Sequence, residues 1–217
     1  KHSAIMDKYD PKGRVDLVVD EWGGWYEVEP ETNPGFLYQQ NTMRDAMIAG
    51  MTLNIFNNHA KRVKMANLAQ TINVLQAVIL TKGKDMLVTP TYHVMEMYKV
   101  HQDAQLIPIE LQSDSYKYGD EELPAISASA SKDKQGKVHI SVVNIDPKGN
   151  RKVSLDLGSI KAKSLTGRIL TAENLREHNT FEQPNTVFPT EYKGAKMKDN
   201  RIDIEIPAHS VIVLELI

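Results

Sequence analysis

The stretch VVDEWGGWY, Val18 to Tyr26, gathers two adjacent carboxylates, a glycine pair and both tryptophans of the chain into one short segment. A sugar ring has an apolar face and a polar rim, so an acid beside aromatic plates suits glycoside chemistry. That chemistry normally needs two carboxyl groups, about 5–5.5 Å apart for retention and further apart for inversion. Side chains of an extended strand alternate between faces, so Asp20 and Glu21 are expected to divide, one facing a cavity and one serving a structural role. A carboxylate before Gly-Gly also reads as a loop anchor or hydrogen-bonding cap, and tryptophan is more often packing than platform. The residue pattern alone leaves both readings open.

Other groups read more plainly. His93 and His101 lie on one helical stretch, but no carboxylate or third histidine joins them at ligand spacing, so no metal and no cofactor are expected. Asn57-Asn58-His59 reads as a polar helix terminus rather than a pocket lining. Lys61, Arg62 and Lys64 read as a solvated basic patch. The row Met43, Met47, Met51 reads as packing against a barrel, since thioethers fill irregular gaps. The chain has no cysteine, which excludes disulfides, thiolate metal sites and cysteine nucleophiles. Its net charge of -2 offers no field for a phosphate backbone or an anionic membrane, so neither nucleic acid nor membrane is an expected partner. No run approaches the roughly 20 apolar residues of a membrane helix. Residues 1–10 lack the apolar centre of a signal peptide, and the compartment stays open.

The elements that must position these groups fall into two halves. Ile5, Met6 and Tyr9 have helical spacing, as in the last turns of a helix, and the chain is read as a piece of a longer protein. Residues 15–19, VDLVV, read as a strand buried on both faces, ending at Asp20-Glu21. A helix is expected from about Phe36 to Asn57, a short helix over residues 61–71, a second buried strand over residues 74–80, and a helix from Thr91 to Gln102. Strand, helix, strand, helix implies parallel βα units. Two units cannot close a barrel, and their open edges favour association, a homo-oligomer included. From about Leu106 the period becomes two: Ile126/Ala128/Ala130, Val138/Ile140/Val142, Val153/Leu155/Leu157 and Ile202/Ile204/Ile206 predict antiparallel strands of a β-sandwich. Residues 112–122 are expected as a polar loop near its start.

The segments VVDEWGGWY, NPGFLYQQNTMRDAMIAGMTLNIFNNHAKRVKMANLAQTINVLQAVILT and TPTYHVMEMYKVHQDA resemble the second half of the family 51 α-L-arabinofuranosidases, closely over residues 1 to about 105. The resemblance implies residues 1–105 as the last two βα units of an incomplete (β/α)8 barrel and residues 106–217 as a jelly-roll-like β-sandwich. It implies Glu21 as the catalytic nucleophile and Trp25 as a residue bordering the sugar site. It implies a retaining hydrolase acting on terminal α-L-arabinofuranosyl groups of arabinose-containing glycans. The family's acid/base is another Glu on an earlier strand, with no counterpart in this chain. The chain is therefore expected to need a preceding part of its own polypeptide and to be inactive alone. Where some relatives direct a Gln to the substrate this sequence reads Leu87-Val88-Thr89-Pro90, so no contact carries over there. The competing reading is a non-catalytic carbohydrate-binding or scaffolding sandwich.

Overall fold

The computed structural model describes residues 1–217. The first half contains helix α1 (His2–Tyr9), strand β1 (Leu17–Trp22), helix α2 (Met43–Asn58), strand β2 (Val63–Leu68), a hairpin of β3 (Ile79–Lys82) and β4 (Asp85–Val88), and helix α3 (Pro90–Tyr98). β1 and β2 pair in parallel, with α2 as the crossover between them. The order strand, helix, strand, helix is therefore present, but with different boundaries. The second strand is residues 63–68, where a helix was expected. Pairing with β1 outweighs local preference there, as it commonly does for strands. The apolar run 74–80 is mostly turn: Gln76 adopts φ +52, which breaks an extended path, and only Ile79 onward enters the hairpin. Ala77, Leu80 and Leu87 bury into a small cluster with Tyr38 and Phe181. β1 is half-exposed rather than buried on both faces, because β2 is its sole neighbour.

α2 starts seven residues later than the apolar pattern suggested. Pro34–Phe36 forms a separate 3-10 turn closed by Leu37 at φ +53, and Thr42 with Asp45 makes a capping box that sets the helix start. α3 likewise ends at Tyr98 and continues as a 3-10 turn over Lys99–His101. Arg62 is not part of a solvated patch. It is buried, its guanidinium held by Asp7, Asp10 and the Val15 carbonyl, and it ties α1 to the start of β2.

In the second half the chain forms β5 (Gln105–Ile107), β6 (Ser115–Tyr118), β7 (Glu121–Pro124), β8 (Ile126–Lys132), β9 (Val138–Asn144), β10 (Arg151–Asp156), β11 (Leu165–Leu170), β12 (Thr190–Glu191), β13 (Ala195–Lys198), β14 (Arg201–Ile206) and β15 (Ser210–Leu216). Six strands, in the order β12-β11-β15-β9-β8-β5, face a smaller sheet of β10-β14-β13. The period-two strands are all present. The expected polar loop over 112–122 contains the β6/β7 hairpin instead. Even-numbered residues of β8, β9, β14 and β15, among them Ile126, Ile140, Val142, Ile204, Ile212 and Leu214, fill the space between the sheets.

The odd-numbered face of the larger sheet is also covered. Val143, Val211 and Val213 share a second core with Met43, Ala46, Met47 and Ala49 of α2 and Val94, Met97 and Tyr98 of α3. Met43 and Met47 thus pack on α3 and the sandwich sheet. Beside this core runs a polar seam. Ser129 Oγ donates to Asn54 Oδ1 at 2.8 Å, and Tyr98 Oη donates to the same oxygen at 3.1 Å. Asn57 and Asn58 reach Ser129 Oγ and the Ala128 carbonyl, so the helix terminus is a tether. The His101 ring sits between the hydroxyls of Ser131 and Ser141.

Candidate active site

β1 leads to Glu21 through a local irregularity that the strand pattern did not announce. Val19 pairs with Ala66 and Trp22 with Leu68, so one extra residue of β1 is accommodated across Asp20 and Glu21. Such a bulge interrupts alternation and re-aims side chains. Asp20 and Glu21 are both exposed, and neither carboxylate has a hydrogen-bonding or ionic partner in the chain. The expected division, with one of them structural, is not what the fold does. Trp22, next along, turns inward and meets the Phe56 ring edge-on at 5.6 Å.

After the strand the backbone turns at Gly23, φ +140, where a Cβ would stand 2.6 Å from Gln76 Cγ. Only glycine fits that position. The following loop is pinned by buried amides. Gln39 accepts from Tyr26 N at 2.9 Å and donates to the Gly24 carbonyl at 3.1 Å. Asn41 donates to the Ala77 carbonyl and accepts from Thr91 Oγ1 at 2.8 Å. Asp45, fully buried, accepts from Thr42 N and from Gln76 Nε2, each at 2.8 Å. The Arg44 guanidinium lies 3.6 Å from the centre of the Tyr26 ring. Burial, opposed by that guanidinium, raises the Tyr26 pKa, so the phenol stays neutral.

Trp25 projects from this loop with 70% of its surface exposed. With Tyr26, Glu27, Glu29, Gln40 and Arg44 it lines an open depression of about 680 Å³. Glu21 does not line that depression; it sits before it on the strand. Glu29 is engaged by the Gln40 backbone N–H at 2.8 Å, whereas Glu27 is free. The buried network of Gln39, Asn41, Asp45, Gln76 and Thr91 escaped sequence reasoning. Its one legible signal was the Thr42-x-x-Asp45 spacing of a helix cap.

His93 is half-buried, and burial lowers its pKa. His101 is half-buried against the sandwich, and no group of three or more acidic, histidine or cysteine side chains is arranged for a metal.

Residues 20–210 match the sequence model of the α-L-arabinofuranosidase C-terminal domain. The chain belongs to this family. Over all 217 residues it is 48% identical to an intracellular exo-α-L-arabinofuranosidase of Bacteroides ovatus. Its fold superposes with a TM-score of 0.97 on the GH51 arabinofuranosidase of Xanthomonas axonopodis pv. citri, at 49% identity and over 100% of this chain. The thermostable GH51 α-L-arabinofuranosidase of Thermotoga petrophila superposes over 98% of the chain with a TM-score of 0.81 at 26% identity. The chain spans 42% of the Bacteroides protein and 44% and 45% of the two solved chains. As an α-L-arabinofuranosidase C-terminal domain it is β-rich, with the two-sheet sandwich as its largest part.

Proposed function

We propose that this chain is part of a retaining α-L-arabinofuranosidase and supplies its nucleophile, Glu21. In this reading residues 1–105 are the end of a (β/α)8 barrel and residues 106–217 the sandwich domain. A preceding part of the same polypeptide completes the barrel and brings the acid/base. The observation that carries the assignment of Glu21 is its place: an exposed, unpartnered carboxylate on a bulge at the C-terminal end of a parallel strand. Barrel enzymes draw their catalytic groups from that end of their strands.

The chemistry follows from the residue type. Ionised Glu21 attacks the anomeric carbon of a terminal arabinofuranosyl residue while the second carboxyl group, from outside this chain, protonates the departing oxygen. A covalent glycosyl-enzyme forms at Glu21, and water activated by the second group then releases arabinose. Trp25 borders the sugar and excludes water from one side. The substrates are terminal α-L-arabinofuranosyl groups of arabinose-containing glycans.

The test is hydrolysis of an aryl α-L-arabinofuranoside by the full-length protein, by its Glu21→Gln variant and by residues 1–217 alone. The full-length protein is expected to be active, Glu21→Gln to lose on the order of 10⁴-fold or more, and the 217-residue chain to show no turnover. Activity indifferent to Glu21 would refute the assignment.

A further inference from the structure

The turn that follows Glu21 is held from another element. Gly23 bends the chain at φ +140, and a Cβ there would stand 2.6 Å from Gln76 Cγ and 3.3 Å from Gln76 Cδ, so the Gln76 side chain packs directly against this glycine. Gln76 is fully buried and adopts φ +52, a left-handed conformation that a glutamine seldom takes. Its Nε2 donates to Asp45 Oδ1 at 2.8 Å, whereas its Oε1 is buried with no partner. A strained backbone and an orphaned carbonyl both cost stability. Such features persist where the surrounding structure holds the residue in place, and they cluster at functional sites.

Gln76 is anchored at both ends. At the tip, Asp45 is itself fully buried and accepts from Thr42 N at 2.8 Å, which ties the Gln76 amide to the start of α2. At the backbone, the carbonyl of the next residue, Ala77, accepts from Asn41 Nδ2 at 3.1 Å and from Thr89 Oγ1 at 2.8 Å. Between these anchors the methylene stem forms a wall on which the turn at Gly23 rests. Pairing with β2 does not supply that constraint, because Asp20 and Glu21 fall in the bulge, outside the regular register. Gly23 lies two residues beyond Glu21, so their Cα atoms are within about 7 Å of each other.

We propose that Gln76 is a positioning residue for the attack by Glu21, a role that rests on the reading of Glu21 as the nucleophile. The stem of Gln76 sets the path of the turn at Gly23, and that turn sets where the Glu21 carboxylate meets the anomeric carbon. Gln76 is buried away from the sugar, so its effect falls on bond making and not on sugar binding. A displacement of about 1 Å at a reacting group costs on the order of 10²-fold in rate.

Two variants of the full-length protein separate this role from a merely structural one. Gln76→Gly removes the wall while relieving the left-handed backbone. Gln76→Met keeps an unbranched stem but has no donor for Asp45. For each, kcat/KM on 4-nitrophenyl α-L-arabinofuranoside, the rate of covalent labelling by a 2-fluoro arabinofuranosyl reagent, the inhibition constant of arabinose and the thermal midpoint are measured. In Gln76→Gly, kcat/KM and the labelling rate are expected to fall about 10- to 100-fold, with the arabinose constant within about 3-fold of the unaltered value. Gln76→Met is expected to retain both rates within about 3-fold although its thermal midpoint falls, since Asp45 loses a buried donor. Rates unchanged in Gln76→Gly, or lowered equally in the two variants, overturn the positioning role and leave the nucleophile assignment standing. A loss above about 10-fold in Gln76→Met overturns it even where Gln76→Gly does not fold. No hydrolysis by the unaltered protein, or activity indifferent to Glu21→Gln, overturns the nucleophile reading and the positioning role with it.

Discussion

Glu21 and Asp20 are both exposed, unpartnered carboxylates on one bulged strand, and the proposed reading gives the nucleophile's role to Glu21 alone. The bulge means that strict alternation no longer decides which of them faces a substrate. The assignment therefore rests on family membership and on position at the strand end. His101 presents the opposite situation, a titratable group enclosed by the fold. Burial, and secondarily the nearby His139, push its pKa down to about 4, below the value of about 6.5 for a free imidazole. The folded state thus prefers neutral His101, and the unfolded state binds more protons between pH 6.5 and 4. Stability is full above about pH 6.5 and falls as pH drops toward 4, by on the order of 3 kcal/mol in all. Asp146, half-buried, has its pKa held low against the effect of burial by the Lys148 and Gly149 backbone N–H groups and by Arg151, so its contribution is lost only at more acidic pH. Urea midpoints measured from pH 7 to 4 on the chain and on His101→Asn check this. The slope is expected to be smaller in the variant, and equal slopes would contradict the buried-neutral account.

At the scale of elements, the sandwich strands were legible because each has one face toward a core, and a period of two survives every detail of topology. β9 went further than its pattern, being buried on both faces by the second core behind it. β2 was read as helix, and the 74–80 run as strand, because a parallel strand with a single neighbour has no strong period. The positive φ of Gln76 is set by contacts with Gly23 and Asp45, far away in sequence. Arg62 was misread for the same reason, since its partners Asp7 and Asp10 lie in a different element. α2 carries one prediction of its own. A Cβ at Gly50 would lie 3.0 Å from Val143 Cγ2 and 3.2 Å from Val211 Cγ2, so helix and sheet approach closely there. Gly50→Ala gains about 1 kcal/mol of helix propensity, which offsets the tight contact. Gly50→Leu has no such offset and is expected to lose at least about 2 kcal/mol through overpacking. Denaturant unfolding of the two variants checks it; equal stability of Leu and Ala would mean that the seam has slack.

At the scale of the molecule, the change of architecture near residue 105 is not a gap between cores. Val143, Leu170, Val211 and Val213 of the sandwich are buried together with Met43, Met47, Val94 and Met97 of the helices. Residues 106–217 alone would expose this apolar face and orphan the serines of the polar seam. That piece is expected to aggregate or to bind a hydrophobic dye, as sedimentation and dye fluorescence would show, and a monomeric, cooperatively unfolding piece would contradict the shared core. The sandwich in this account serves as a brace that fixes α2 and α3, and through them the strand that carries Glu21. The central claim is that Glu21 forms the covalent bond to the sugar. It is tested most directly by trapping the full-length protein with a mechanism-based 2-fluoro arabinofuranosyl reagent and sequencing the labelled peptide by mass spectrometry. The account predicts the label on Glu21 within VVDEWGGWY; a label on another carboxylate, with Glu21 unmodified, would contradict it.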